Sequence, residues 1–231
     1  MAAPALQRNQ LVWLHGPAWQ ALREQAWDAQ ALNLVAHWQA QDLPLVVCSQ
    51  RPGVAPERLS LGLAAPLRWG RRRLALDAAL PDIARVGSFP LLRSLGLDAP
   101  DQAQIDTLLL HTDALQVQLH VHGSYGWQAL CGLPCVREGS DLDLQAHVPD
   151  LDTAAQVVWL LQGLQLQPRV DGELVFPGGW AIAWREYAQL ISGRVAQVLV
   201  KHRTALALQD MAALRSRFRH APAAAAASLP L

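Results

Sequence analysis

The sequence predicts an α+β protein in two parts: a mixed sheet with flanking helices in the C-terminal half, and a smaller N-terminal α+β domain. Three observations carry this expectation. Residues 115–121, 141–148 and 169–176 alternate apolar and polar side chains with the period of half-buried strands. Helix-like runs at 101–110 and 153–164 lead into the first of these strands and separate the last two. Prolines 44, 52, 56 and 66 break the earlier part of the chain into short pieces.

Taken in order, residues 12–14 read as a strand, 18–39 as one long helix rich in Trp and Leu, and 45–48 as a second strand. The expected units are 1–100, the N-terminal domain, and 101–219, the larger one. A tail over 220–231, mostly alanine, is expected to be disordered.

The chemistry gathers in the larger unit. Gly123 ends the strand of residues 115–121, and residues 124–130 can start a helix with Ser124 as its cap. Free backbone N–H groups and a hydroxyl then point at one spot, where an anion such as a diphosphate binds. Sixteen residues after that serine, Ser140-Asp141-Leu142-Asp143 opens the next strand. Leu142, Leu144, Ala146 and Val148 share one face, and Asp141, Asp143, Gln145 and His147 the other. At roughly 3.3 Å per residue the two aspartate α-carbons lie about 6 to 7 Å apart, so both carboxylates can hold the same magnesium or manganese ions. An Asp-x-Asp triplet alone is most often a solvated strand face. Joined in order to a strand, a Gly-Ser turn and a helix, it points to nucleotidyl transfer.

These residues also carry a family resemblance. The runs 122–134 (His-Gly-Ser-Tyr-Gly-Trp-Gln-Ala-Leu-Cys-Gly-Leu-Pro) and 139–144 (Gly-Ser-Asp-Leu-Asp-Leu) resemble the nucleotidyltransferase core of the phosphoribosyl-dephospho-CoA transferases. More narrowly, they are similar to the holo-acyl-carrier-protein synthases of malonate decarboxylase systems. Residues 11–14, 169–177, 181–186 and 198–201 extend the likeness over most of the chain. The Gly-Ser and Asp-x-Asp elements are superfamily features, whereas the Trp-Gln-Ala-Leu-x-Gly-Leu insert and the Asp-Gly-Glu strand make the narrower match.

The resemblance implies a nucleotidyltransferase-like fold and a defined reaction. A serine hydroxyl of the apo acyl carrier protein of malonate decarboxylase attacks the ribose-linked phosphate of triphosphoribosyl-dephospho-CoA, expelling diphosphate and leaving a phosphodiester. Such a transfer depends on positioning and charge stabilisation and needs no covalent enzyme nucleophile. The resemblance makes Asp141 and Asp143 metal-holding catalytic residues, and Gly123, Ser124 and Ser140 substrate-binding ones. It also implies a third carboxylate on a neighbouring strand. Asp171 and Glu173 are the candidates, Asp171 being favoured for its short side chain and able to orient or deprotonate the serine. Asp171-Gly172 also reads as a simple turn. A different nucleotidyltransferase, using ATP or a related nucleotide on a protein or small molecule, is the alternative. A silent binding module fits poorly with intact Gly-Ser and aspartates.

Charge and composition narrow the partners. Nineteen basic and nineteen acidic residues argue against a nucleic-acid substrate. Residues 45–73 nevertheless hold six arginines (Arg51, Arg58, Arg68, Arg71, Arg72, Arg73) against Glu57 alone. They suit donor phosphates, an acidic carrier surface or a solvated face. Lys201, the only lysine, is a candidate to neutralise the leaving diphosphate, or caps a strand edge. The three cysteines, Cys48, Cys131 and Cys135, form no disulfide framework and lack the paired spacing of a zinc site, and with no secretion signal they point to a reducing cytoplasm. His120 and His122 stand at the entrance to the Gly-Ser turn, with no family role carried onto either. Nine tryptophans are expected mainly as packing, with Trp127 near the donor pocket. No stretch has the apolar length of a membrane helix.

Overall fold

A computed structural model describes residues 6–55, 57–96 and 99–218. The expected tail, 220–231, lies outside the described residues. Among those described, the architecture is a mixed α+β one with two sheets and seven α-helices.

The N-terminal sheet holds five strands: β1 (Leu11–Leu14), β2 (Leu45–Val47), β3 (Arg58–Ala64), β4 (Arg73–Ala79) and β5 (Ile83–Gly87). Their order is β4-β3-β2-β1-β5, antiparallel throughout. Strands β3 and β4 were not anticipated from the proline-rich stretch, although Leu59, Leu61 and Leu63 alternate on one and Leu74, Leu76 and Ala78 on the other, all buried.

The single helix expected over 18–39 is two, α1 (Gly16–Arg23) and α2 (Ala29–Ala40). The break has local causes. Trp27 Nε1 donates to the Leu22 carbonyl at 2.6 Å, and Gln25 N–H donates to the same carbonyl at 3.4 Å, which closes the end of α1. Asp28 then caps α2, its carboxylate accepting from Ala31 N–H at 2.9 Å.

The C-terminal half runs α3 (Ala99–Ala114), β6 (Gln118–Val121), α4 (Gly123–Cys131), β7 (Leu142–His147), α5 (Leu151–Gly163), β8 (Val170–Phe176), β9 (Trp180–Ala183), α6 (Trp184–Ile191), β10 (Val198–Lys201), β11 (Leu206–Gln209) and α7 (Met211–Phe218). The sheet order is β11-β10-β9-β8-β7-β6, and only β7 and β8 pair in parallel. A parallel pair needs a long crossover, and α5 supplies it, started by Asp150 accepting from Thr153 N–H at 2.8 Å. One core lies between this sheet and its helices, built on Leu142, Leu144, Val157, Leu174 and Tyr187.

Asp171-Gly172 is therefore strand, not turn. Gly172 has φ +133°, and a methyl there would overlap the Leu144 carbonyl across the β7–β8 ladder. The second core belongs to the N-terminal sheet but includes Phe89, Trp127 and Cys135. Helix α4 thus packs across both halves: the Trp127 ring lies 6.0 Å from Trp38 and 5.3 Å from Phe89. No helix among the described residues is long and apolar enough to cross a membrane.

Candidate active site

The Gly-Ser turn and the aspartate strand meet because β6 and β7 are antiparallel neighbours. Val121 at the end of β6 pairs with Leu144, and His122 N–H donates to the Asp143 carbonyl at 2.9 Å. The chain then turns sharply: Gly123 takes φ +61°, and a side-chain carbon on it would overlap the Asp143 carboxylate. Glycine here is a requirement of close approach, and it sets the start of α4 directly over Asp143.

The cap of α4 is His122 rather than Ser124. The first helical bond runs from Gly126 N–H to the His122 carbonyl at 3.1 Å, because His122 is already held extended by β7. Ser124 falls one step inside the first turn. Its position still lines the cleft beside the free amide end of the helix.

Four carboxylates cluster at this point. Asp143 is half-buried beneath the start of α4. Burial pushes its carboxyl above the usual carboxylate range, His122 opposes that, and Asp171, Asp141 and Glu173 add to it through like charge. Among the described residues no arginine or lysine pairs with it. Asp141 stands just before β7 and is gripped in a fork by Arg169, Nε at 3.1 Å and Nη2 at 2.7 Å, which holds its carboxyl below the usual range.

Asp171 is the register partner of Asp143 on β8, and its arginine contacts are long, 3.7 Å to Arg185 and 3.9 Å to Arg169. Glu173, two residues on, is buried and clasped by Arg8 and by Lys201 Nζ at 3.1 Å. Burial pushes its carboxyl up, but Arg8 and Lys201 outweigh that and hold it below the usual range. Lys201 is therefore engaged by Glu173. Ser140 Oγ accepts from Arg137 N–H at 3.1 Å, closing the turn ahead of Asp141.

A cleft of about 590 Å³ opens above these groups, lined by His122, Gly123, Ser124, Ser140, Asp141 and Asp143 and, from the N-terminal sheet, by the β3–β4 hairpin. No three His, Cys, Asp or Glu side chains among the described residues converge as a ready metal cage. The donors present are nonetheless hard carboxylate oxygens, and magnesium is commonly held by one or two carboxylates with phosphate oxygens and water completing its shell. Asp143, beside three other acids and without an arginine or lysine partner among the described residues, is the carboxylate best placed to take such a cation.

Some site residues carried no sequence signal. Arg169 is 28 residues from Asp141, and Arg8 is 165 from Glu173. His122 has a buried Nε2 without a partner, and burial lowers its pKa. Its only trace in the sequence was its place before Gly123. The cysteines are free, with Cys131 and Cys135 Sγ 3.8 Å apart.

Residues 7–89 match the family model of the phosphoribosyl-dephospho-CoA transferase MdcG N-terminal domain, and residues 91–212 that of its C-terminal domain. The chain belongs to the phosphoribosyl-dephospho-CoA transferase family. Curated relatives bearing that name include one from Xanthomonas euvesicatoria pv. vesicatoria, 39% identical over 90% of this chain and 95% of its own length. Another, from Xanthomonas axonopodis pv. citri, is 38% identical over the same shares. A more distant one, from Bradyrhizobium diazoefficiens, is 30% identical over 88% of this chain and 89% of its own. No solved structure matches the chain. As a member of this transferase family the protein is an enzyme, and the resemblance to the phosphoribosyl-dephospho-CoA transferases read from the sequence is thereby established.

Proposed function

We propose that this enzyme transfers the phosphoribosyl-dephospho-CoA group from triphosphoribosyl-dephospho-CoA to a serine of the apo acyl carrier protein of malonate decarboxylase, releasing diphosphate. The observation that carries the reading is the seating of the α4 N-terminus directly over Asp143, which joins an anion-binding end to a carboxylate pair in one cleft. The C-terminal half is, on this reading, a nucleotidyltransferase-like domain: its mixed sheet, with the aspartates at the start of a central strand, supports the assignment.

In the reaction the serine Oγ forms a bond to the ribose-linked phosphorus, the bond from that phosphorus to the leaving diphosphate breaks, and the serine proton is lost to a base. The amides at the start of α4 and the Ser124 hydroxyl donate to phosphate oxygens, fixing the phosphorus in line with the incoming serine. Asp141 and Asp143 would hold magnesium, which when bound would supply charge neutralisation on the phosphates. Asp141 reaches that role by releasing the Arg169 fork, which frees the guanidinium for a phosphate. Asp171 is the third carboxylate and the base: it sits beside Asp143 in register and its arginine contacts are long, whereas Glu173 is occupied by two cations. Its proton acceptance at the incoming Oγ leaves the other acids to the metal.

The test is to incubate the protein with magnesium, the donor and the apo carrier, and to read the carrier's intact mass. The expected gain equals the phosphoribosyl-dephospho-CoA group. Asp143→Asn is expected to cut the rate roughly a hundredfold or more, while its melting temperature at neutral pH does not fall, because a carboxylate already raised by burial and like charge is removed. No mass gain, with donor intact and carrier folded, overturns the acceptor and donor proposed.

A further inference from the structure

On the reading proposed above, the donor carries two separate polyphosphates, the triphosphate that reacts and the diphosphate inside its CoA arm. The α4 terminus and the carboxylates serve only the first. We infer that Arg71, Arg73 and Arg137 form a second anion site in the same cleft and that it takes the CoA-arm diphosphate.

The six arginines between residues 45 and 73 divide cleanly. Arg51 also lines the cleft but is paired with Asp77, and Arg58 Nη2 donates to the Asp77 carbonyl at 2.9 Å. Arg68 lies over the Trp69 ring at 3.7 Å, and Arg72 clasps both oxygens of Asp28 at 2.7 and 2.6 Å. Arg71 and Arg73 are different: both are exposed, both line the cleft, and among the described residues neither guanidinium meets an acidic partner. Arg137 lines the same cleft, equally exposed and equally unpaired. Three uncompensated cations on one concave surface repel one another until an anion arrives.

The surroundings are arranged for such a ligand. On the cleft side of the β3–β4 hairpin, Gly62 stands opposite Ala75 and Ala64 opposite Arg73, so small residues leave room beside the arginine. The turn of the hairpin is tied to the loop carrying Arg137 by Leu67 N–H donating to the Pro134 carbonyl at 2.8 Å. Gln128 Oε1 braces that loop by accepting from Cys135 and Val136 N–H at 3.0 and 3.1 Å. Arg71 follows Gly70, and both take left-handed backbone, φ +59° and +63°. Glycine adopts that conformation without strain, so an arginine there works against its own backbone preference.

Guanidinium groups grip phosphate oxygens in pairs, which suits a diphosphate better than a single carboxylate. The hairpin arginines belong to the N-terminal sheet and the reacting carboxylates to the C-terminal one, so the site is assigned to the end of the donor that does not react.

Calorimetric titration of the full chain separates the two ends of the donor. Dephospho-CoA carries only the CoA-arm diphosphate, and inorganic triphosphate with magnesium mimics only the reacting end. Arg71→Ala with Arg73→Ala is expected to weaken dephospho-CoA about tenfold or more, to flatten its salt dependence, and to leave triphosphate binding unchanged. Arg72→Ala, next in the chain but paired with Asp28, should bind dephospho-CoA as the parent does. Arg71→Gly relieves the left-handed backbone, so weaker binding without a lower melting temperature excludes a folding defect. Unchanged dephospho-CoA binding in the double variant, or an equal loss of triphosphate binding, overturns the inference. Carrier loading is read separately. Loading without arginine dependence sinks only this site, whereas arginine-dependent dephospho-CoA binding without loading keeps the site and sinks the proposed reaction.

Discussion

Asp143 sits half-buried beside three other carboxylates with no cation of its own among the described residues, an arrangement that packing alone would not select. Tyr187 shows the opposite case, a polar group whose burial is fully matched. It is 1% exposed, its hydroxyl donates to the Leu151 carbonyl at 3.0 Å, and burial pushes its pKa up to about 12. An unfolded tyrosine ionises near 10, so above that pH the unfolded chain holds fewer protons than the folded one. Stability is expected to be flat with respect to Tyr187 below pH about 10 and to fall by up to about 3 kcal/mol between 10 and 12. Urea unfolding across that range checks it: in Tyr187→Phe that part of the alkaline loss should vanish, at a constant cost of about 1 kcal/mol for the missing hydrogen bond.

At the scale of elements, the parallel pair β7–β8 decides where the acids stand. Register sets Asp143 beside Asp171 and Gln145 beside Glu173, so the two aspartates are level at the strand starts while Glu173 is carried inward to Arg8 and Lys201. The ladder tolerates no bulk at Gly172, where both the positive φ and the Leu144 carbonyl exclude a methyl group. Gly172→Ala is expected to destabilise by more than about 3 kcal/mol, far beyond the roughly 1 kcal/mol that ordinary left-handed strain costs. A lowered urea midpoint, or loss of folded protein on expression, is the expected readout; a midpoint unchanged within error would show that the ladder can shift to admit it. The helix break at 24–28 belongs to this scale as well: it was legible in principle, since Asp28 heads an apolar run as a cap does, but the continuous Trp and Leu periodicity masked it.

Over the whole molecule, the two sheets share no strand among the described residues and are joined by apolar packing, by buried charge and by loop hydrogen bonds such as Leu67 N–H to the Pro134 carbonyl. Trp127 rises from α4 into the N-terminal core, and Glu173 holds Arg8 from the segment before β1. Truncating Trp127 to alanine should cost about 3 to 5 kcal/mol and loosen the halves from each other. Scanning calorimetry is expected to show one transition for the parent and a broadened or split one for Trp127→Ala. A single sharp transition in both would place the coupling elsewhere. Because Glu173 is held below its ordinary pKa, its share of stability is full above the usual carboxylate range and drains as pH falls through the lowered value.

Much of this was written in local pattern. The strand alternation of 118–121 and 169–176, the helix runs at 101–110 and 153–164, and the Gly123-Ser124 and Asp141, Asp143 motifs depend on neighbours a few residues apart, and such short-range chemistry survives in a bare sequence, although residues 115–117 of the run read as strand over 115–121 form a turn and a link into β6. The mixed α+β class and the transferase family were therefore readable. The grip of Arg169 on Asp141, the clasp of Arg8 on Glu173, and the division of the arginine-rich stretch into four side chains held by partners and two left without one among the described residues were decided by the tertiary structure alone. Each depends on which strands lie side by side and in what register, and ion pairing across a ladder leaves no periodic mark in the chain that forms it.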